Sequence, residues 1–169
     1  MCLLLCFMAI LQISSTESTV ETDPLTGITQ RRIEITATNY SSPSDSTPSL
    51  ILSVTGTSDD FVPEIGIAWG TPVSNGESFQ VLAGPNGLES EYSALAVPEV
   101  ESVILIDPNC HDLNRLLYNL CLFGSSFRCN FATYHEGTFY DATFPLDGLK
   151  AAAEEAGFPI DLWRFWYSG

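Results

Sequence analysis

Residues 127–157 constrain the fold of this chain more than any other stretch, because every local signal in them agrees. Phe127, Cys129 and Phe131 alternate with other residues, which places the three on one face of a β-strand. A polar break follows, and residues 139–144 form a second run of Phe, Tyr and Thr, types that suit a pleated surface. The pattern predicts two strands joined by a turn.

A short helix is predicted directly after the second strand. The Asp147 carboxylate is placed to accept hydrogen bonds from the free amides of a first helical turn. Residues 149–156 are good helix formers, and Gly157 followed by Pro159 is a typical helix stop. Since none of these residues forms a catalytic signature, the stretch indicates architecture and not chemistry.

Short apolar runs bounded by turn residues also occur before residue 127. Strands are predicted at residues 32–38, 50–55, 65–69, 79–82, 92–97 and 101–106. Four leucines in residues 113–120 have the spacing of an amphipathic helix. We therefore predict a mainly-β fold, either an antiparallel β-sandwich or a strongly curved sheet, with two short α-helices.

Composition and charge restrict the class of protein. The 169 residues are 45 % hydrophobic, which suits one domain with a real core. Asp and Glu number 21 against 6 Lys and Arg, for a net charge of −15. The chain therefore lacks the cationic face that nucleic acid requires, and its surface is expected to be acidic and solvated.

The distribution of apolar and polar residues divides the chain into four segments. Residues 1–16 hold an apolar run of about the length of a secretory h-region, which predicts a signal peptide or an N-terminal apolar segment, although no Lys or Arg precedes Arg31. Residues 17–30 are expected to be a flexible lead-in, 31–157 the β-sandwich domain and 158–169 an aromatic C-terminal tail. We expect a periplasmic or secreted protein without a transmembrane span, since the apolar run is too short for one.

Five motifs occur in an order similar to that of one known family, which has Asn-Trp-Gly and Thr-Pro-Tyr-x-Glu at the second and fourth of them. They are Asp23-Pro24, Ala68-Trp69-Gly70, the leucines of residues 113–117, Thr133-Tyr134-His135-Glu136 and Phe144-Pro145-Leu146-Asp147-Gly148-Leu149. In this order the chain resembles the VasI family of small periplasmic proteins associated with type VI secretion. The resemblance implies a non-enzymatic extracytoplasmic protein that supports an envelope or secretion assembly through protein–protein contacts, with oligomeric state left open.

The cysteines depart from the pattern of that family. Its members carry one cysteine in the second strand and another at the end of the last helix, and residues 50–55 and 153–158 here contain none. The stabilisation of about 2 to 4 kcal/mol that a disulfide gives must then come from elsewhere. The tail, with Trp163, Phe165 and Trp166, is expected either to pack back on this region or to form an exposed patch for a partner.

Two of the remaining cysteines flank a predicted turn. A bridge between Cys121 and Cys129 would clamp that turn, and two thiols buried as small hydrophobic groups fit the sequence equally well. No Cys-x-x-Cys pair occurs, so the spacing supports neither a zinc knuckle nor a thioredoxin-type redox site. The chain also lacks a phosphate-binding loop, and we expect no cofactor.

Candidates for catalysis are few. They are Cys110, His111, Asp112 and His135. A cysteine or metal-dependent hydrolase would need these side chains to converge, and neighbours at a helix start point in different directions. A metal site would add Glu136 and Asp141 and would also need separate loops to meet. We expect structural or surface roles for all of them, and no metal site.

A binding module for a small molecule or a glycan is a further hypothesis. Trp69, Tyr92 and Tyr134 would then have to line one concave, exposed face. Trp69 precedes Gly70 at a predicted strand end, and a Trp buried in the core is the alternative interpretation of that position.

Overall fold

The computed structural model describes residues 16–57, 60–73, 78–97, 100–106, 113–133 and 138–161. The strands are β1 (Thr16–Thr22), β2 (Thr29–Thr36), β3 (Asn39–Ser41), β4 (Ser49–Gly56), β5 (Phe61–Ala68), β6 (Ser78–Pro85), β7 (Ser90–Val97), β8 (Val100–Ile106), β9 (Ser126–Ala132) and β10 (Phe139–Pro145). The helices are α1 (Leu113–Phe123) and α2 (Leu149–Glu155). The ten strands of the described residues form one antiparallel sheet, in the order β1-β2-β4-β5-β8-β7-β6-β9-β10-β3. The prediction of a mainly-β fold with two short helices is confirmed.

The two ends of this sheet are joined by a nearly continuous run of chain. β2 lies near one end and β3 at the other, yet only Ala37 and Thr38 separate them. The Ala37 amide donates to the Pro48 carbonyl at 2.9 Å, on the side of β4, and the Thr38 amide donates to the Thr143 carbonyl of β10 at 3.1 Å. Because residues 29–41 pair with both ends, the sheet curls round a closed interior.

The interior is filled by alternate residues of the strands other than β1. In β2, Ile33 and Ile35 have no solvent exposure, whereas Arg32 and Glu34 face outward. The largest fully buried side chains are Trp69, Phe127, Phe144, Ile33, Ile35, Leu50, Leu52, Ile65, Ile67, Ile104 and Ile106. Both helices add buried side chains to the same cluster, among them Leu117 of α1 and Leu149 of α2. Strand alternation thus defines an inner face and an outer face of the sheet.

Two strands lie where the sequence predicts none. β1 occupies part of the expected flexible lead-in, residues 17–30, and β3 occupies part of a Ser- and Pro-rich stretch with loop composition. The side chains of β1 are almost all exposed, so no apolar periodicity marks it. Both strands are held by backbone pairing, β1 with β2 and β3 with β10. The folded domain therefore begins before residue 31 and includes the buried Phe158 beyond residue 157.

The ends of α2 confirm one predicted cap and correct the other. Gly148, in the left-handed conformation with φ 82°, occupies the N-cap position, and no side chain caps the helix, so the assignment of Asp147 as the cap is wrong. Gly157 ends the helix as predicted, with φ 71°. Its amide donates to the Glu154 carbonyl, and the Phe158 amide donates to the Ala153 carbonyl, the hydrogen-bond pair of a Schellman motif.

Cys121 and Cys129 are buried free thiols, so the bridge between them is not formed. Removal from water disfavours a thiolate, and burial raises the pKa of Cys121 from its ordinary value of 9.0 to about 12. Burial also raises the pKa of Cys129, with smaller contributions from the charges of Asp141 and Glu89. Both cysteines act as small apolar groups of the core.

These thiols make the stability of the protein sensitive to alkaline pH. Above pH 9.0 the unfolded chain loses thiol protons that the folded chain retains, so the stabilisation present at lower pH is lost as the pH rises toward the folded pKa. At about pH 10 the two thiols together should lower the free energy of unfolding by about 3 kcal/mol relative to pH 8. Urea unfolding of the wild type and of the Cys121→Ala, Cys129→Ala variant measures this loss, which the variant should lack. Parallel pH profiles for the two proteins would contradict the expectation.

Candidate binding surface

Several candidate site residues lie outside the part of the chain that the structure describes. They are Cys110, His111, Asp112, Tyr134, His135, Glu136, Trp163, Phe165 and Trp166. The hydrolase hypothesis and the two alternatives for the aromatic tail therefore stay predictions. Trp69, Tyr92 and Asp141 lie within the described residues.

Trp69 belongs to the core. Its side chain has no solvent exposure, and the rings of Phe131 and Tyr140 meet it edge-to-face at centroid distances of 5.5 and 5.2 Å. Those two rings stack on each other at 4.7 Å. Tyr92 is half-buried and packs against the same core. An exposed binding face that includes Trp69 is therefore not formed, because burial in this aromatic cluster removes the indole from solvent.

Asp141 takes part in an ion-pair network on the outer face. Its two carboxylate oxygens accept hydrogen bonds from Nε and Nη2 of Arg128, each at 2.8 Å. Arg128 also donates to Glu89 at 3.2 Å, and Asn130 donates to the other oxygen of Glu89. The hydrogen bonds to Asp141 are the main reason that the pKa of Arg128 is raised. Within the described ranges, no three His, Cys, Asp or Glu side chains lie close enough to hold a metal ion.

The outer face of the sheet carries an apolar surface that follows from strand register. Ile51 of β4 is paired with Gly66 of β5, Gly66 with Leu105 of β8, and Leu105 with Leu95 of β7. In the next row, Ala68 is paired with Val103. Four neighbouring strands thus present apolar residues at positions where a solvated strand normally presents polar ones.

A depression at Gly66 runs into this surface. A Cβ atom at position 66 would lie 3.2 Å from Cδ2 of Leu105 and 3.6 Å from Cγ1 of Val103, so these two side chains lean over the glycine. The depression has a volume of about 450 Å³. Its apolar lining is Ile51, Gly66, Ala68, Val97, Val100, Val103 and Leu105, and its polar lining is Gln30, Arg32, Ser53, Glu64 and Ser102. We call it the apolar groove after the first set.

One border of the apolar groove is acidic. Arg32, Ser53 and Glu64 occupy one row across β2, β4 and β5. The Ser53 hydroxyl donates to Glu64 at 3.0 Å, and Arg32 forms an ion pair with Glu34 at 2.9 Å. Glu17 of β1 is paired with Glu34. Glu64 and Arg32 therefore line the apolar groove on this side, and Glu34 and Glu17 lie beyond Ile51 on the neighbouring strands β2 and β1.

One feature of the sequence indicates that this surface is apolar. Residues 103–106 read Val-Ile-Leu-Ile, so the outward Val103 and Leu105 are as apolar as the inward Ile104 and Ile106. An uninterrupted apolar run in a strand is typical of two covered faces. The pairing of β8 with β5, which brings Leu105 beside Gly66, joins strands that are far apart in the chain, and no local pattern predicts it.

Comparison with known proteins identifies no relative of this chain. The chain matches no family model, no curated protein and no solved structure. None of the helices in the described residues is long and apolar enough to cross a membrane. The function is therefore inferred from the surface itself and from the resemblance carried by the sequence motifs.

Proposed function

We propose that this protein is a non-enzymatic accessory of an envelope or secretion assembly and that it binds a partner protein through the apolar groove. The observation that carries the proposal is the row of apolar residues on the outer face of β4, β5, β8 and β7. Contiguous apolar surface with a polar border marks interaction sites on folded proteins. Val100 in the groove is 50 % exposed and Leu95 beside it is 40 % exposed, and a partner would cover both.

The partner is expected to carry basic residues around an apolar ridge. The chain has a net charge of −15, Glu64 lines the apolar groove, and Glu34 and Glu17 lie on the neighbouring strands β2 and β1. Opposite charge on the partner speeds encounter and fixes orientation, while the apolar contact supplies most of the affinity. A second copy of this chain is a poor occupant, because it would bring two strongly acidic surfaces together.

A location outside the cytoplasm belongs to the same proposal. The apolar run within residues 1–16 and the motifs that resemble those of the VasI family support it. The two buried thiols do not conflict with an oxidising compartment, since a thiol removed from solvent is protected from oxidation and exchange.

Photocrosslinking in cells of the native host tests the partner and the surface together. A photoreactive amino acid replaces the half-buried Leu105 in the apolar groove or, as a control, Leu82, which lies on the outer face of β6 and is 45 % exposed. We expect position 105 to capture one basic envelope protein, identified by mass spectrometry, and position 82 not to capture it. The yield should fall when salt is raised from about 0.05 to about 0.5 M, which shortens the screening length roughly threefold.

A groove-filling variant provides the second arm of the test. Gly66 has ordinary β-strand backbone geometry, so Gly66→Val adds volume at the floor of the groove without backbone strain. It should abolish the crosslink from position 105 while circular dichroism shows an unchanged fold. Capture of a second copy of this chain, or of the same protein from position 82, would overturn the proposal.

A further inference from the structure

β1 lies outside the closed part of the sheet. It pairs with β2 along its full length, from Thr16 opposite Ile35 to Thr22 opposite Thr29. β10 pairs with β3 instead and leaves β1 at the end of the strand order. Most side chains on both faces of β1 are exposed, with Val20 on the inner face at 52 %, although α2 lies close to this strand. β1 is thus an edge strand that the core does not cover.

The outer edge of β1 offers backbone groups to another strand. In an antiparallel strand every second residue directs its N–H and C=O to the same edge, so about three or four residues of β1 direct theirs away from β2. Within the described residues, no strand pairs with that edge. The register with β2 is regular, and the sequence TESTVET contains no Pro or Lys, two of the devices that block edge pairing.

We propose that β1 accepts an additional β-strand from a partner protein, and that this strand carries Lys or Arg on one face. Glu17 and Glu21 lie on the outer face of β1, and Glu34 lies beside Glu17 on β2. Directly opposite residues on paired strands interact most strongly, so basic residues four positions apart on the incoming strand would meet the two glutamates. Backbone hydrogen bonds bind the strand, and the charges select it.

A second copy of this chain does not fit the same edge. If two copies pair antiparallel about Thr19, Glu17 of each copy lies directly opposite Glu21 of the other. Like charges directly opposite on neighbouring strands are destabilising. The acidic face of β1 therefore disfavours self-association and favours a basic strand, and this inference does not rest on the apolar groove.

A short synthetic peptide tests the inference on the full chain. The probe is the fluorescein-labelled peptide Thr-Val-Lys-Val-Thr-Val-Lys-Val-Thr, with lysines four positions apart. We expect saturable binding by fluorescence anisotropy, and hydrogen exchange of residues 16–22 at least about tenfold slower in the complex. Two further peptides carry N-methyl groups on alternate backbone amides, one set for each edge, and the set that faces β1 should abolish binding.

Charge-reversed chains separate pairing at β1 from general attraction to an acidic protein. Glu17→Lys with Glu21→Lys should weaken binding at least about tenfold. Glu91→Lys with Asp147→Lys makes the same change in net charge at exposed residues outside β1 and should weaken it clearly less. Gly66→Val in the apolar groove should have no effect. Equal binding of both N-methylated peptides, protection outside residues 16–22, or no binding of the unmodified peptide would overturn the inference.

Discussion

Replacing Trp69 with alanine is expected to lower the free energy of unfolding by about 3 to 5 kcal/mol, the range for removal of a large aromatic side chain from a core. Trp69 is fully buried, and Phe131 and Tyr140 meet it edge-to-face. The truncation opens a cavity where three rings meet, and the rigid strands around it limit collapse. Urea unfolding measures the loss, and the dependence on urea concentration shows whether unfolding remains two-state.

The variant Trp69→Phe serves as a matched control. Among the described residues, Nε1 of Trp69 is buried without a hydrogen-bond partner. Phenylalanine removes this donor, whose desolvation costs about 1 to 3 kcal/mol, and keeps one aromatic ring in the cluster. The loss of stability should therefore be clearly smaller than for alanine. A loss below about 1 kcal/mol for Trp69→Ala would be the ordinary effect of a surface change and would contradict the core position of this ring.

The second large effect is expected for Gly84→Ala in β6, with a loss of at least about 3 kcal/mol, the upper range for overpacking. A Cβ atom at position 84 would collide with the Leu88 carbonyl oxygen and would lie 2.9 Å from Cα of Glu89. Both atoms belong to the backbone, so no side-chain rotation relieves the collision. Thermal or urea unfolding compared with the wild type gives the magnitude.

Gly87→Ala, in the same turn, distinguishes collision from backbone strain. Gly87 has φ 75°, and no atom lies within 4 Å of its added Cβ. This variant should lose only the cost of a left-handed conformation, about 1 to 2 kcal/mol. If both alanine variants lose the same stability, the close approach of the chain at Gly84 is not the reason that this position needs glycine.

The turn of residues 84–87 is predicted by the local sequence, but its long-range hydrogen bonds are not. Gly84-Pro85-Asn86-Gly87 indicates a turn before β7, and the structure has one there. The side chain of Asn86, however, accepts hydrogen bonds from the Ser125 amide and hydroxyl at 2.8 and 2.9 Å and donates to the Phe123 carbonyl at 3.0 Å. Those partners lie about 40 residues away, and no local pattern includes them.

The same difference between local patterns and long-range contacts explains which strands the sequence predicts and which it does not. Strands with one buried face, such as β2 and β9, are visible in the sequence because apolar residues alternate along them. β1 and β3 lack that alternation, since backbone pairing holds them and the core does not cover β1. Residue composition alone therefore indicates a loop or a flexible lead-in at both places.

The candidate binding surface depends even more on long-range pairing. In the sequence, Trp69 is a candidate for stacking on a ligand. Its position in the core depends instead on ring contacts with Phe131 and Tyr140, which lie far along the chain. Ile51, Gly66 and Leu105 carry no motif. They form one surface only because β4, β5 and β8 are neighbours in that register.

The junction between β2 and β3 also sets the order in which the chain can fold. Asn39 of β3 is paired with Thr143 of β10, roughly 100 residues later, and contacts of such large sequence separation form slowly. Until β10 has been synthesised and has returned to β3, both β3 and β9 present open edges to other chains. We therefore expect the newly made protein to be most prone to aggregate in the interval just before β10 pairs with β3.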